Sequence, residues 1–154
     1  MGTIRNFKKI RRDGQVIDEQ MTVAQIVALG APQKVTTVQW EYGGHPVVRR
    51  SHHGMLSKVL SGGDFVAILE GLDDSDSRSA LFVLNADGSL RLNVPNEQTI
   101  NGKKEHGEFR WFESARKSDV NRFGVVFEAT GRNAMFQLDI DGTTGRVVDV
   151  YPIR

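Results

Sequence analysis

Short runs of β-branched, aromatic and other apolar residues, separated by turn residues, recur along most of the chain and predict β-strands. These runs cover residues 35–42, 46–50, 65–70, 80–84, 90–94, 109–113, 123–129, 135–139 and 147–151. Gly43-Gly44 provides a hairpin-type turn between the first two runs, and Asn85-Ala-Asp-Gly88 provides another further along. Because such connections are short, we expect neighbouring strands to pair in antiparallel fashion.

Two short helices are predicted to interrupt the strands. Thr22 and Gln25 match the spacing of a capping box, and Gly30 and Pro32 are stop signals, so a helix is expected over residues 22–29. A second helix is expected over residues 51–61, ended by Gly62-Gly63. Its apolar face would consist of Met55, Leu56, Val59 and Leu60.

These elements predict an α+β fold, predominantly antiparallel β-sheet built from meanders and hairpins, with the two short helices in the N-terminal 63 residues. The length of 154 residues suits a single domain over residues 1–154. Residues 95–107 show no clear periodicity and are interpreted as a long loop. Any division between two β-meander units would fall in that loop.

Two stretches of the chain resemble each other at a spacing of about 54 to 58 residues. Each contains three predicted strands, and the second turn of each contains Asp-Gly, at Asp87-Gly88 and at Asp141-Gly142. Either the stretches derive from a duplication, so that the two meanders pack together or extend one sheet, or antiparallel meanders are simply alike at this level.

The composition excludes several classes of protein. The chain has no cysteine, which excludes a disulfide scaffold, a Cys-ligated metal site and a thiol nucleophile. No apolar run approaches the roughly 18 residues that span a bilayer. The basic residues at the N-terminus are not followed by the apolar stretch of a secretory signal. We therefore expect a soluble cytoplasmic protein without membrane contact.

The formal net charge of +1 conceals an uneven distribution. Residues 1–63 hold nine Lys and Arg against four Asp and Glu, whereas residues 64–99 hold two against seven, and residues 100–154 hold nine against eight. Fields act over about a Debye length of roughly 8–10 Å, so the local distribution matters more than the total. If folding separates these segments, the surface can select a charged partner.

Two clusters of cations with interleaved aromatic residues are candidate contacts for single-stranded RNA or DNA, because cations bind phosphate and aromatic rings stack on bases. The first consists of Arg5, Phe7, Lys8, Lys9, Arg11 and Arg12. The second consists of Lys103, Lys104, Arg110, Trp111, Arg116 and Lys117. Acidic residues are mixed into the second cluster, and the pI of about 8.1 is low for a dedicated nucleic-acid domain. The alternative interpretation is a solvated strand edge protected by cations.

No catalytic, metal or cofactor site is predicted. His52-His53 lacks a further ligand at helical spacing and is interpreted as a pair at a helix start, and Asp73, Asp74 and Asp76 do not match a calcium-binding loop. No serine-nucleophile elbow or phosphate-binding loop occurs. The sequence thus favours a protein that is not an enzyme, although a small β-rich enzyme of unknown reaction stays as a third hypothesis.

One segment is similar to part of a known family. Residues 135–150, with Asp-Gly in the turn, resemble the terminal hairpin of PepSY-type domains. Those domains place a helix before this hairpin, whereas here an apolar predicted strand, residues 123–129, precedes it. The resemblance covers about 16 residues, and we do not assign the chain to that family.

The leading hypothesis for function is a non-catalytic cytoplasmic binding protein that acts through protein–protein interaction, as an adaptor or an inhibitor. It rests on the missing catalytic motifs, the uneven charge and the strand edges available for pairing. Binding of single-stranded nucleic acid through the two clusters is the alternative.

Overall fold

The computed structural model describes residues 2–71 and 79–153. Within these ranges the chain forms thirteen strands and one helix of five residues, and every strand pair is antiparallel. The α+β prediction with two N-terminal helices is therefore wrong, because the fold is nearly all antiparallel β-sheet. The strands form three sheets, which we call the N-terminal, central and C-terminal sheets.

The N-terminal sheet has the strand order β2-β1-β3-β4. Its strands are β1 (Arg5–Arg11), β2 (Val16–Asp18), β3 (Val35–Tyr42) and β4 (His45–Arg50). The predicted turn joins β3 to β4, with φ of 58° at Gly43 and 79° at Gly44. A two-residue turn with positive φ at both positions matches the strand twist, and glycine adopts this conformation without steric cost, which explains the glycine pair.

The central sheet is a meander with the order β5-β6-β7-β8. Its strands are β5 (Met55–Val59), β6 (Phe65–Glu70), β7 (Ala80–Asn85) and β8 (Leu90–Val94). The C-terminal sheet has the order β13-β12-β11-β10-β9. Its strands are β9 (Glu97–Ile100), β10 (Lys103–Glu113), β11 (Arg122–Ala129), β12 (Ala134–Asp141) and β13 (Val147–Pro152).

The central sheet is buried on both faces, so the molecule has three layers. Val66 and Ile68 belong to a core shared with Val38 and Trp40 of the N-terminal sheet. The alternate residues of β6, among them Leu69, belong to a second core shared with the C-terminal sheet. This double burial explains why residues 65–70 are apolar almost without interruption, since neither face of the strand meets water.

The two stretches that resemble each other in sequence form β6–β8 and β11–β13. Both are three-stranded antiparallel meanders, and they pack face to face through the second core. The strand expected before the terminal hairpin is also present as β11, where a PepSY-type domain would have a helix.

The first predicted helix exists in shortened form as α1 (Val23–Val27). Thr22 is its N-cap and forms the expected capping box with Gln25. The side chains of Val23 and Val27 are 78% and 69% exposed, and no residue of the helix is fully buried. The cap therefore defines this helix more than tertiary packing does.

The second predicted helix, residues 51–61, is wrong, because the chain forms the edge strand β5 there. Residues four apart lie on one side of a strand as well as of a helix, so Met55 and Val59 contribute to one core in either conformation. Pairing with the apolar β6 along five residues decides in favour of the strand.

Residues 95–107, interpreted as a loop from the sequence, form the β9–β10 hairpin. The turn is Asn101-Gly102, with φ of 54° and 80°. Asn-Gly is the strongest short-range hairpin signal, and the polar flanking residues concealed it.

Candidate protein-binding surface

The N-terminal sheet has one face on the core and one face in solvent. Residues that pair directly across antiparallel strands project from the same face of the sheet. Because Val38 and Trp40 point into the core, their neighbours in β3 point outward together with their partners on the adjacent strands. We call this outward surface the open face. It consists of Val16 and Asp18 on β2, Lys8 and Ile10 on β1, Thr37, Gln39 and Glu41 on β3, and Pro46, Val48 and Arg50 on β4.

Every side chain of the open face is exposed or half-buried. Val16 and Val48 are each 42% exposed, on the two edge strands of the sheet. Ile10 and Pro46 add further apolar surface. A β-branched and aliphatic surface on an uncovered sheet costs solvation free energy in water, and a binding partner would remove that cost.

The corresponding outward surface of the C-terminal sheet is covered by the chain itself. Val126, Gln137 and Asp139 project outward there, yet all three are buried. The segment 114–121 lies over them, since the backbone N–H of Arg116 donates to the Asp139 carboxylate at 2.9 Å. The Gln137 amide donates to a backbone carbonyl of the same segment at 3.0 Å. Of the two outer sheets, the N-terminal one is thus the sheet without a cover among the residues that the structure describes.

One end of the open face is basic. A groove of about 400 Å³ lies there, lined by Arg12, Thr36, Thr37, Arg50, Ser51 and His52. The Arg12 guanidinium donates to the His52 carbonyl at 3.1 Å. No carboxylate among residues 2–71 and 79–153 forms an ion pair with Arg12 or Arg50. These two guanidinium groups are therefore available to a partner's carboxylate.

The opposite end of the open face is partly acidic. Here the Glu41 carboxylate accepts a hydrogen bond of 2.5 Å from the side-chain amide of Asn6. A smaller groove of about 220 Å³ lies at this end, and Glu41, Lys8 and Pro46 are among the residues that line it. The open face is thus polarised along β3, from cations at one end to a carboxylate at the other.

The structure divides the first cation cluster between two faces of β1. Phe7 is 7% exposed and stacks on Trp40 inside the core, with 5.9 Å between ring centroids. Arg11 is 5% exposed, and its guanidinium forms an ion pair of 2.7 Å with Asp13. Lys9 also points inward. Lys8 and Arg12 point toward the open face, and Arg5 is exposed at the start of the strand. The ring of Phe7 is consequently not available to stack on a base.

The second cluster lies in the C-terminal sheet and in the segment 114–121 that covers it, on the far side of the central sheet from the first. Its cations pair mostly with acids of the same sheet. The pairs are Lys104 with Glu97 at 3.9 Å, Arg110 with Glu128 at 2.6 Å, and Lys117 with Asp149 at 3.6 Å. Arg116 stacks on the Tyr151 ring, Trp111 donates to Glu113 at 2.9 Å, and Lys103 is exposed. The fold therefore does not bring the two clusters into one continuous basic surface.

His52 and His53 lie in the turn between β4 and β5, with their rings edge to face. In the part of the chain that the structure describes, no group of three or more His, Cys, Asp or Glu side chains could hold a metal ion. Asp73, Asp74 and Asp76 lie outside the described residues.

Among residues 2–71 and 79–153, no helix is long and apolar enough to cross a membrane.

Sequence reasoning selected the cations of β1 but missed the apolar half of the open face. The signal was present in β3, where polar Thr37, Gln39 and Glu41 alternate with Val38 and Trp40. That alternation is typical of a sheet with one solvated face. The exposure of Val16 and Val48 depends on which strands form the edges, and strand order was not predicted.

Three apposed antiparallel sheets, with the outer face of one sheet uncovered, define a small all-β protein with a surface suited to a macromolecular partner. Comparison with known proteins gives the family. The chain matches a chain of the solved structure described as "Structure of Tne2 in complex with Tni2", with 33% sequence identity and a TM-score of 0.89. The match covers 98% of this chain and 99% of the matched chain. This protein therefore belongs to the same family as the matched chain of that structure.

No protein-family model matches the chain, and no curated protein matches it. The similar structure is that of a protein–protein complex.

Proposed function

We propose that this protein is a non-catalytic binding protein that forms a stable complex with a protein partner and acts as its inhibitor. The similarity over nearly the whole chain to a chain in the Tne2–Tni2 complex carries the proposal. We also propose that the complex forms in the cytoplasm.

The open face is the surface that we assign to the partner. Specific interfaces combine an apolar centre, which is desolvated, with a polar rim that gives specificity. On the open face, apolar area comes from the strands on either side of β3: Pro46 and Val48 on β4, Ile10 on β1 and Val16 on β2. Arg12 and Arg50 at one end and Glu41 at the other would orient the partner by charge.

Inhibition is favoured over a scaffolding role by the geometry of a layered sheet. The N-terminal sheet is fastened to the central sheet by buried contacts, including a hydrogen bond of 2.7 Å from the Trp40 indole N–H to the Ala86 carbonyl. Arg49 adds a two-pronged ion pair with Glu70 across the two sheets, at 3.0 and 3.2 Å. A rigid, preorganised surface loses little conformational entropy on binding, which a tight inhibitor requires.

The proposal is tested by capture of a partner from native lysate with three baits. The wild-type protein and Leu90→Asp, a change at an exposed residue of the central sheet, should retain one stoichiometric partner. Val48→Asp should lose it, because a carboxylate at this exposed apolar position of the open face stays unpaired when the partner desolvates it. Equal capture by all three baits would refute the assignment of the surface, and failure of every bait would refute the function.

A further inference from the structure

The sandwich of the N-terminal and central sheets is open along one flank. A groove of about 420 Å³ lies there, between β1 and β2 on one side and the edge strand β5 on the other, with α1 beside it. Phe7, Ile17, Ile26 and Val59 give it apolar walls. Lys9 and Ser57 also line it, and both belong to the faces that the two sheets turn toward each other. We call it the flank groove.

Lys9 brings a cation into the flank groove without a counterion. It pairs with Val38 in register, so its side chain points between the sheets and away from the open face. Its ammonium group has no ion pair or hydrogen bond with any residue of the described ranges. Burial lowers the pKa of Lys9, which shows that the surroundings disfavour the charged form. An anion beside it would reverse this cost.

Ser57 presents a second unsatisfied group in the same space. It pairs with Ile68, so its side chain also points between the sheets. Its hydroxyl is buried and has no hydrogen-bond partner. The hydroxyl oxygen has almost no accessible surface, so a carboxylate that enters the groove can reach the Lys9 ammonium but not this hydroxyl.

The backbone of β5 is unpaired along the groove. The Leu60 N–H donates to the Phe65 carbonyl at 2.9 Å, which makes Leu60 and Phe65 a hydrogen-bonded pair. Such pairs alternate along an antiparallel ladder, so Lys58 and Ala67 form the next one. The backbone groups of Ser57 and Val59 therefore point away from β6, and within the described residues β5 pairs with no other strand.

We propose that the flank groove binds an extended segment of a protein partner, which pairs with the free edge of β5 and places one carboxylate side chain beside Lys9. That the occupant is a protein segment rests on the proposed function. The free backbone groups at strand spacing favour a peptide over a small carboxylate, because only a peptide satisfies both the edge of β5 and the Lys9 ammonium.

The single ammonium group in the flank groove favours an occupant with a single negative charge. Lys58 adds no second cation there, because its ammonium donates to the Glu113 carbonyl at 3.2 Å on the other face of β5. A phosphate would carry more negative charge than Lys9 alone can balance. A lone Asp or Glu between apolar residues fits both the cation inside and the apolar walls.

The experiment titrates the isotope-labelled protein with two capped peptides, acetyl-Thr-Val-Glu-Val-Thr-amide and its Glu→Gln counterpart, and follows the amide NMR signals. We expect shifts at Ser57 and Val59, and affinity about tenfold higher for the Glu peptide, which corresponds to about 1.4 kcal/mol for the charge-assisted contact with Lys9. In Lys9→Met the difference between the peptides should vanish. In Lys8→Met, which removes the same charge from the opposite face of β1, it should persist.

Three results would overturn the inference: no shift in β5 at millimolar peptide, equal affinity for the two peptides, or the same loss in Lys8→Met as in Lys9→Met. Unchanged binding after N-methylation of alternate peptide amides would also contradict it, by showing that a carboxylate alone suffices. The outcome is independent of the open face. If the peptides do not bind but Val48→Asp abolishes partner capture, only this inference is refuted. If the peptides bind as expected but no bait captures a partner, only the proposed function is refuted.

Discussion

Adjacent residues of β6 should both be essential for stability, because the central sheet is buried on both faces. Ile68 faces the N-terminal sheet and Leu69 faces the C-terminal sheet, and both are 0% exposed. In a sandwich of two layers only one of two neighbours would be buried. Alanine substitution at each of the two positions therefore tests the three-layer architecture that presents the open face.

The expected magnitude follows from the carbons removed. Ile68→Ala and Leu69→Ala each delete three buried carbons, about 0.8 kcal/mol apiece in transfer free energy, and the cavity left behind adds to this. We expect the free energy of unfolding to fall by about 3 kcal/mol in each variant, within the usual range of roughly 2–5 kcal/mol.

The assay is unfolding in urea, followed by circular dichroism and by tryptophan fluorescence, which includes the buried Trp40. Leu90→Ala, at a residue 56% exposed on the same sheet, is the control and should change stability by less than about 0.5 kcal/mol. A cost below about 1 kcal/mol at Ile68 would mean that the N-terminal sheet is not packed on the central one. The same result at Leu69 would refute packing against the C-terminal sheet.

Three further predictions concern single interactions. Trp40→Phe should lower the free energy of unfolding by about 1–3 kcal/mol, since it leaves the buried Ala86 carbonyl unpaired, and urea unfolding measures this. Burial lowers the pKa of Lys9, so the unfolded chain binds this proton more tightly than the folded protein does. The free energy of unfolding should therefore rise with pH between the folded-state and unfolded-state pKa values of Lys9. In Lys9→Met this alkaline rise should be absent from denaturation curves. Hydrogen bonds from Thr143 lower the pKa of Asp141. They contribute stability that is present above the unfolded-state pKa of Asp141 and is lost as pH falls through the folded-state pKa. Thr143→Val should raise the Asp141 pKa, measured by carbon NMR, and lower the free energy of unfolding by less than about 1 kcal/mol.

Strands with strong β-branched and aromatic content could be predicted from the sequence, and β3, β6 and β8 have the predicted bounds. The strands that were missed share a physical cause, which differs from that of the wrong helix at β5. Strand β1 is rich in lysine and arginine, and β9–β10 in polar residues, so neither carries a local hydrophobic pattern. Their conformation depends on pairing with distant strands, which no local pattern reports.

The candidate surface could be predicted only in part for the same reason. Lys8 and Arg12 were singled out by charge, and they do lie toward the open face. Phe7 was selected with them, although alternation along β1 sends it into the core beside Trp40. Assigning such residues to a face requires the strand itself to be recognised, because side chains one position apart project to opposite sides.

The affinity of the captured partner for Val48→Asp tests the central claim most directly. Calorimetric titration should give a dissociation constant at least about thirtyfold higher than for the wild-type protein, corresponding to about 2 kcal/mol, as for an apolar residue that the partner covers fully. Leu90→Asp should bind as the wild-type protein does. Equal dissociation constants for the wild-type protein and Val48→Asp would contradict partner binding through the open face.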